Sequence, residues 1–173
     1  MIELGAQVEN GWRSNVVRDF AASELFDRTF QEGMELVEET AAYLDGAGRH
    51  DSKRLARKTA LAYASESMRL TTRLMQLASW LLVQRAVRED QMAPSEACND
   101  RYRLTDELFK SPPAENAELL PEGLASLIER SARLYDRVLH LDRRMYVEPQ
   151  ADDGAHPVRA QQDRLLAAFG GAA

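Results

Sequence analysis

Three histidines and one cysteine are the residues with which this chain could bind a metal or attack a substrate. They are His50, His140, His156 and Cys98. A di-iron site in a helical bundle needs Glu-x-x-His on two helices, whereas the residue three before His140 is Arg137. Cys98 has no CxxC partner and no nearby histidine in sequence, which is typical of a small half-buried residue. We therefore predict no metal, no cofactor and no catalytic nucleophile.

Other functions are disfavoured by missing motifs and by charge. The sequence contains no G-x-S-x-G elbow, no P-loop and no Rossmann fingerprint. Its net charge of −6 opposes non-specific binding of nucleic acid. The start of the chain has no secretory signal pattern, and the longest strongly apolar run, Leu77 to Val83, is too short to cross a bilayer. With a single cysteine, these features predict a cytoplasmic protein that is not an enzyme and does not span a membrane.

Two predicted helices have one apolar line each. The first begins after Ser23, a favourable N-cap, and ends at Gly46 in a left-handed cap. Its apolar residues recur at steps of three and four: Phe26, Phe30, Met34, Val37, Ala41 and Leu44. The third begins with Pro121 in its first turn and ends before Pro149. Its seam is Leu120, Leu124, Leu127, Ser131, Leu134, Val138, Leu141 and Met145.

The second predicted helix, from Asp51 or Ser52 to about Glu89, has two apolar stripes. At 100° per residue, the first stripe is Leu61, Ala64, Met68, Met75, Leu82 and Ala86. The second stripe, on nearly the opposite side, is Tyr63, Leu70, Leu74, Leu77 and Leu81. A surface helix needs only one apolar stripe, so this helix must be covered on most of its circumference.

A second copy of the chain is the simplest cover for the second stripe. We therefore predict a homodimer, with an interface made by Leu70, Leu74, Leu77, Trp80 and Leu81. The alternative is that residues 10–20 or 102–109 of the same chain fold back over this stripe.

A polar flank of the same helix could bind a partner protein. It carries Arg69, Arg73 and Gln76, which would pair with an acidic surface. The alternative is a solvated face whose ion pairs are worth ~0–1 kcal/mol each.

The predicted fold is all-α: an antiparallel three-helix bundle over residues 23–147 with a long central helix. Residues 1–22 are expected to form a flexible N-terminal arm, and residues 148–173 a flexible C-terminal tail. Within the tail, Leu165, Leu166 and Phe169 form a short amphipathic patch that could dock on a partner. The alternative is that this patch packs on the bundle of its own chain.

Three segments resemble the alphaproteobacterial family of RcdA-like protease adaptors, the regulators of CtrA degradation. They are FQEGMELVEETAAYLDGAGR (residues 30–49), SKRLARKTALAYASESMRLTTRLMQLASWLLVQRAV (residues 52–87) and, more weakly, LIERSARLYDRVLHLDRRM (residues 127–145). The resemblance extends from residue 30 to residue 145, about two thirds of the chain, whereas residues before Phe20 and after Met145 carry no matching motif.

The resemblance implies a homodimeric three-helix protein without catalytic activity. Members link the ClpXP protease, prepared by a response-regulator primer, to cell-cycle substrate proteins. A second adaptor that binds cyclic di-GMP extends delivery to the transcription factor CtrA. The resemblance is also compatible with recruitment of this protein to a cell pole. The alternative function is a dimeric helical scaffold or signalling module without protease linkage.

Overall fold

The computed structural model describes residues 2–105, 110 and 112–146, and within them it contains six α-helices and no strand. The helices are α1 (Ile2–Ala21), α2 (Glu24–Asp45), α3 (Ala47–Ser52), α4 (Arg57–Arg88), α5 (Pro94–Ala97) and α6 (Glu122–Tyr146). Short 3₁₀ turns lie at Asp100–Tyr102 and Ala117–Leu119. The all-α class is confirmed, and α2, α4 and α6 are the three predicted helices.

Helix α2 begins where the sequence predicts. The Ser23 hydroxyl accepts a hydrogen bond from the Phe26 amide at 3.2 Å, which satisfies one of the free amides of the first turn. Its C-terminal end differs from the prediction, because Gly46 has φ −104° and is not left-handed. The chain continues directly into α3, and α4 then begins at Arg57, about five residues later than expected.

Residues 1–22 do not form a loosely held arm, since almost all of them belong to α1. Val17 and Ala21 are fully buried against the bundle, and the Phe20 ring lies 5.7 Å from the Trp80 ring. Among the side chains described in α1, those from residue 11 onward, the core residues are Val16, Val17, Phe20 and Ala21. They lie within the last six residues of the helix, so the sequence has too little apolar periodicity to predict a helix of this length. Helix α1 packs on α4, α5 and α6 as a fourth long helix.

The helix directions follow from the contacts between them. Glu32 and Glu39 of α2 pair with Arg137 and Arg130 of α6, so these two helices are antiparallel. Asp27 near the start of α2 pairs with Arg88 at the end of α4, so this pair is antiparallel as well.

Helices α4 and α6, in contrast, run parallel to each other. Arg73 contacts Ser131 and, further along both helices, Trp80 contacts Asp142. A parallel pair of helices requires the connection from residue 89 to residue 121 to return along the length of the bundle, as crossover connections in helical bundles do. The antiparallel arrangement therefore holds for α2 against its two neighbours, but not between α4 and α6.

Gly48 lets α3 approach two tyrosines closely. A Cβ atom at this position would lie 2.5 Å from the Tyr63 hydroxyl oxygen, 2.7 Å from the Tyr43 ring and 2.9 Å from the Tyr43 carbonyl oxygen. Gly48→Ala should therefore lower the free energy of unfolding by about 1–3 kcal/mol, as overpacking does. Gly11→Ala is the matched control, because nothing lies within 4 Å of its Cβ position in α1. The control should be neutral or stabilising by up to ~1 kcal/mol in urea denaturation.

Candidate protein-interaction surface

The five residues predicted to form the dimer interface lie in the core of their own chain. Leu70, Leu74, Leu77, Trp80 and Leu81 are each between 0% and 3% exposed. In this fold they cannot contact a second copy, so their assignment as a dimer interface is wrong. The alternative, in which residues 10–20 or 102–109 of the same chain fold over the second stripe, is partly correct. Phe20 of α1 packs on Trp80, and Arg103 and Leu104 lie over the same part of α4.

The predicted partner-binding flank is also engaged within the chain. Arg73 is buried and donates a hydrogen bond to the Ser131 hydroxyl at 2.9 Å. Arg69 donates to the Pro112 carbonyl at 2.9 Å, and the Gln76 amide lies 2.8 Å from the Tyr135 hydroxyl. These side chains fix α6 and the connection between α4 and α6, so the assignment to an external partner is corrected.

Glu66 completes this internal polar contact. It is buried, accepts a hydrogen bond from Arg69 at 3.2 Å and accepts another from the Ala114 amide at 2.7 Å. Buried charged groups are tolerated only when they have such partners. The polar flank of α4 is therefore the surface on which the returning connection is held.

Asp142 is a buried residue whose role the sequence analysis missed. Its side chain is 0% exposed, and its Oδ1 accepts a hydrogen bond from the Trp80 indole N–H at 2.9 Å. Arg103 lies 3.5 Å from its other oxygen. Burial raises the pKa of Asp142 above its usual value, while the bond from Trp80 and the charge of Arg103 act in the opposite direction.

Asp142 should make the folded state less stable as pH rises. Because its folded pKa is raised, the folded protein holds this proton more tightly than the unfolded chain, whose carboxyl titrates near ~3.9. The stabilisation is complete below that unfolded pKa and is lost as pH rises through the folded pKa. Asp142→Asn should remove this pH dependence while keeping an oxygen for Trp80. Denaturation curves at several pH values should show it, and parallel pH profiles of the two proteins would contradict it.

The first stripe of α4 is the large exposed apolar feature of the described residues. Leu61, Met68, Met75 and Leu82 are 67%, 73%, 66% and 52% exposed, respectively. They recur every seven residues, so at 1.5 Å per residue they form a line roughly 32 Å long. Single exposed apolar residues are common, but an aligned set of four points to a protein contact.

This face of α4 is also free of charged side chains along most of its length. Between Leu61 and Leu82, the other exposed positions of α4 are all uncharged: Ala64, Ser65, Thr71, Thr72 and Ser79. The exposed Arg85 follows one turn after Leu82. Small residues beside a seven-residue apolar repeat allow the backbone of another helix to approach closely. The face therefore has the composition of a helix–helix contact.

A shallow apolar groove continues this face toward α2. It has a volume of about 210 Å³ and is lined by Val37, Ala41, Leu44, Thr71, Met75 and Ala78. Because Met75 belongs to both features, the first stripe and this α2–α4 groove form one continuous surface.

A second groove lies between α2 and α6, where α4 contributes no residue. Its volume is about 650 Å³, and its walls include Leu25, Arg28 and Thr29 of α2 with His140 and Leu141 of α6. This α2–α6 groove lies at the end of α6 from which residues 147–173 continue.

The residues considered for chemistry are dispersed. His50 and His140 are exposed on different helices, and His156 lies outside the described residues. Burial raises the pKa of the Cys98 thiol, which disfavours the reactive thiolate. Across residues 2–105, 110 and 112–146, no group of three or more His, Cys, Asp or Glu side chains could hold a metal ion. In the same part of the chain, no helix is long and apolar enough to cross a membrane.

The tail-docking residues Leu165, Leu166 and Phe169 lie outside the described residues. Their assignment therefore stays a prediction.

Comparison with known proteins identifies relatives of this chain. Residues 17–169 match the family described as "Protein of unknown function (DUF1465)". The crystal structure of RcdA from Caulobacter crescentus CB15 is similar, with 66% sequence identity and a TM-score of 0.63. The alignment covers 76% of this chain and 98% of the RcdA chain. Among curated proteins, none matches. The chain belongs to the DUF1465 family and to the RcdA-like regulators of CtrA degradation that its sequence resembles.

Proposed function

We propose that this chain is a non-catalytic adaptor that delivers cell-cycle regulators, CtrA among them, to the ClpXP protease. The observation that carries the proposal is the 66% identity to RcdA over 98% of that chain. An all-helical fold with an exposed uncharged face and no metal-binding group in the described residues is consistent with a protein that acts by binding. A response-regulator primer and an adaptor that binds cyclic di-GMP are the further partners proposed.

Delivery requires simultaneous contact with cargo and protease. A flexible tether raises the effective concentration of the cargo near the protease, typically to ~1 mM for a short linker. We assign this tether to residues 148–173, with Leu165, Leu166 and Phe169 as the patch that reaches the protease side. Modest affinities then suffice, which suits a regulated process.

We further propose that the chain forms a homodimer, and we place its interface on the first stripe. In an antiparallel pairing of two α4 helices, Leu61 would face Leu82 of the second copy, and Met68 would face Met75 of the second copy. This register puts the four exposed apolar residues of each chain in contact around a two-fold axis near Thr71 and Thr72.

Reconstituted degradation tests the adaptor function. Purified ClpXP, CtrA, the primer and the cyclic di-GMP-binding adaptor are combined with and without this chain. CtrA should be degraded about tenfold faster or more with the chain, because tethering commonly gains ~10²–10⁴ in avidity. Deleting residues 150–173 should remove the acceleration, while the thermal unfolding temperature should fall by no more than a few degrees.

A ClpXP substrate that needs no adaptor is the control and should be degraded equally in all reactions. Equal CtrA degradation with and without the chain would contradict the adaptor function. If the chain still dimerised under those conditions, the scaffold or signalling alternative would replace it.

A further inference from the structure

We infer that the α2–α6 groove is the docking site for a segment of the same chain, residues 163–169. The groove is open, has a volume of about 650 Å³ and includes the half-exposed Leu25 opposite Leu141. Its volume lies within the ~300–1,000 Å³ typical of clefts that hold a ligand. This inference concerns the resting chain and does not depend on the proposed function.

The position of the groove favours the C-terminal segment as its occupant. Leu141 lies five residues before Tyr146, the last residue of α6, which is ~7.5 Å along the helix. The eighteen residues from 147 to 164 have an r.m.s. span of ~23 Å if they behave as a flexible linker. The segment can therefore return to the groove without leaving the end of the bundle where the chain exits.

The composition of the segment fits an apolar cleft with a charged rim. Leu165, Leu166 and Phe169 are the only leucine or phenylalanine residues after α6. In a helical turn, these three residues would share one face. Asp163 and Arg164 precede them, and the groove has Arg28 and Asp136 among its walls as opposite charges.

Two further observations support a segment of this chain over other occupants. The family match extends to residue 169, so it includes this apolar segment and ends at Phe169. A tethered segment is present at an effective concentration near ~1 mM, so even millimolar intrinsic affinity would keep it bound about half of the time. A separate partner at micromolar concentration would need much tighter binding to compete.

Amide NMR on the ¹⁵N-labelled full chain tests this inference. Replacing Leu165, Leu166 and Phe169 together with serine should shift the amide signals of Leu25, Thr29 and His140. The amides around Met68 and Met75 should keep their shifts. The differences should be the same at every protein concentration, because the contact is within one chain.

A change in the groove should have the reciprocal effect. Leu25→Ser should increase the amide hydrogen-exchange rate at residues 163–169, because docking protects these amides. If the segment is docked half of the time, the increase is at most ~2-fold, and tighter docking gives a larger one. Leu119→Ser is the matched control, because Leu119 is 59% exposed, against 51% for Leu25, and does not line the groove. Unchanged groove signals in the serine variant would overturn the inference. Shifts on the first stripe, or shifts that appear only at high concentration, would overturn it as well by placing the segment on α4 or on a second copy.

Discussion

Leu77→Asp should unfold this protein instead of dissociating a dimer. Leu77 is 1% exposed at the centre of α4, and its side chain packs among the core residues of α1, α2 and α6. Truncating such a leucine to alanine costs about 2–5 kcal/mol, and a buried carboxylate without a partner adds several more. The sum is comparable to the whole stability of a typical domain, ~5–15 kcal/mol.

Far-UV circular dichroism and sedimentation velocity measure this effect. The variant should lose helical signal at 25 °C or be recovered only as aggregate. Leu119→Asp is the control, because it makes the same substitution at a side chain that is 59% exposed and lies outside both stripes of α4. The control should keep its unfolding temperature within a few degrees. A folded Leu77→Asp monomer would restore the second stripe as the dimer interface.

Met68→Glu combined with Met75→Glu should give a folded monomer. In the proposed pairing, these two side chains meet the corresponding pair of the second copy near the two-fold axis. Four carboxylates would then lie close together in a region that association removes from water. Central anchor residues commonly contribute ≥ ~2 kcal/mol each, so the dimer dissociation constant should rise by at least ~30-fold.

Sedimentation velocity over a range of concentrations measures the shift, and thermal unfolding shows that the fold is retained. Met68→Leu with Met75→Leu is the control, because it keeps the apolar surface and should keep the dimer. A double glutamate variant that dimerises like the unmodified chain would show that the first stripe is not the interface. The two experiments are complementary, since one stripe should control folding and the other association.

The amino-acid sequence determined the features that depend on neighbours along the chain. Ser23 predicted the start of α2, because capping is a contact between residues three apart. The steps of three and four predicted α2 and α6. The three quoted segments predicted the RcdA-like family, which the comparisons confirm.

The sequence could not determine helix α1 in the same way. Its described core residues are Val16, Val17, Phe20 and Ala21, all near its C-terminal end. A helix with so few core residues is stabilised mainly by packing against the rest of the chain, which a local pattern does not reveal.

The two stripes of α4 were evident from the sequence, but only the tertiary structure decided which one is exposed. Helices α4 and α6 are parallel, so the connection between them returns along the polar flank of α4. It gives Glu66 and Arg69 partners that are 48 and 43 residues away in sequence. Asp142 likewise finds Trp80 from 62 residues away.

The physical reason is that periodicity specifies a helix and the angles between its faces, but not the neighbour that covers each face. Burial of a polar residue depends on partners that only the fold brings near, so a charged flank can be interior and an apolar stripe can remain in water. The sequence therefore determined that α4 has two surfaces to cover. The course of the chain between α4 and α6 decided that the second stripe belongs to the core. The first stripe, with Leu61, Met68, Met75 and Leu82, is left exposed.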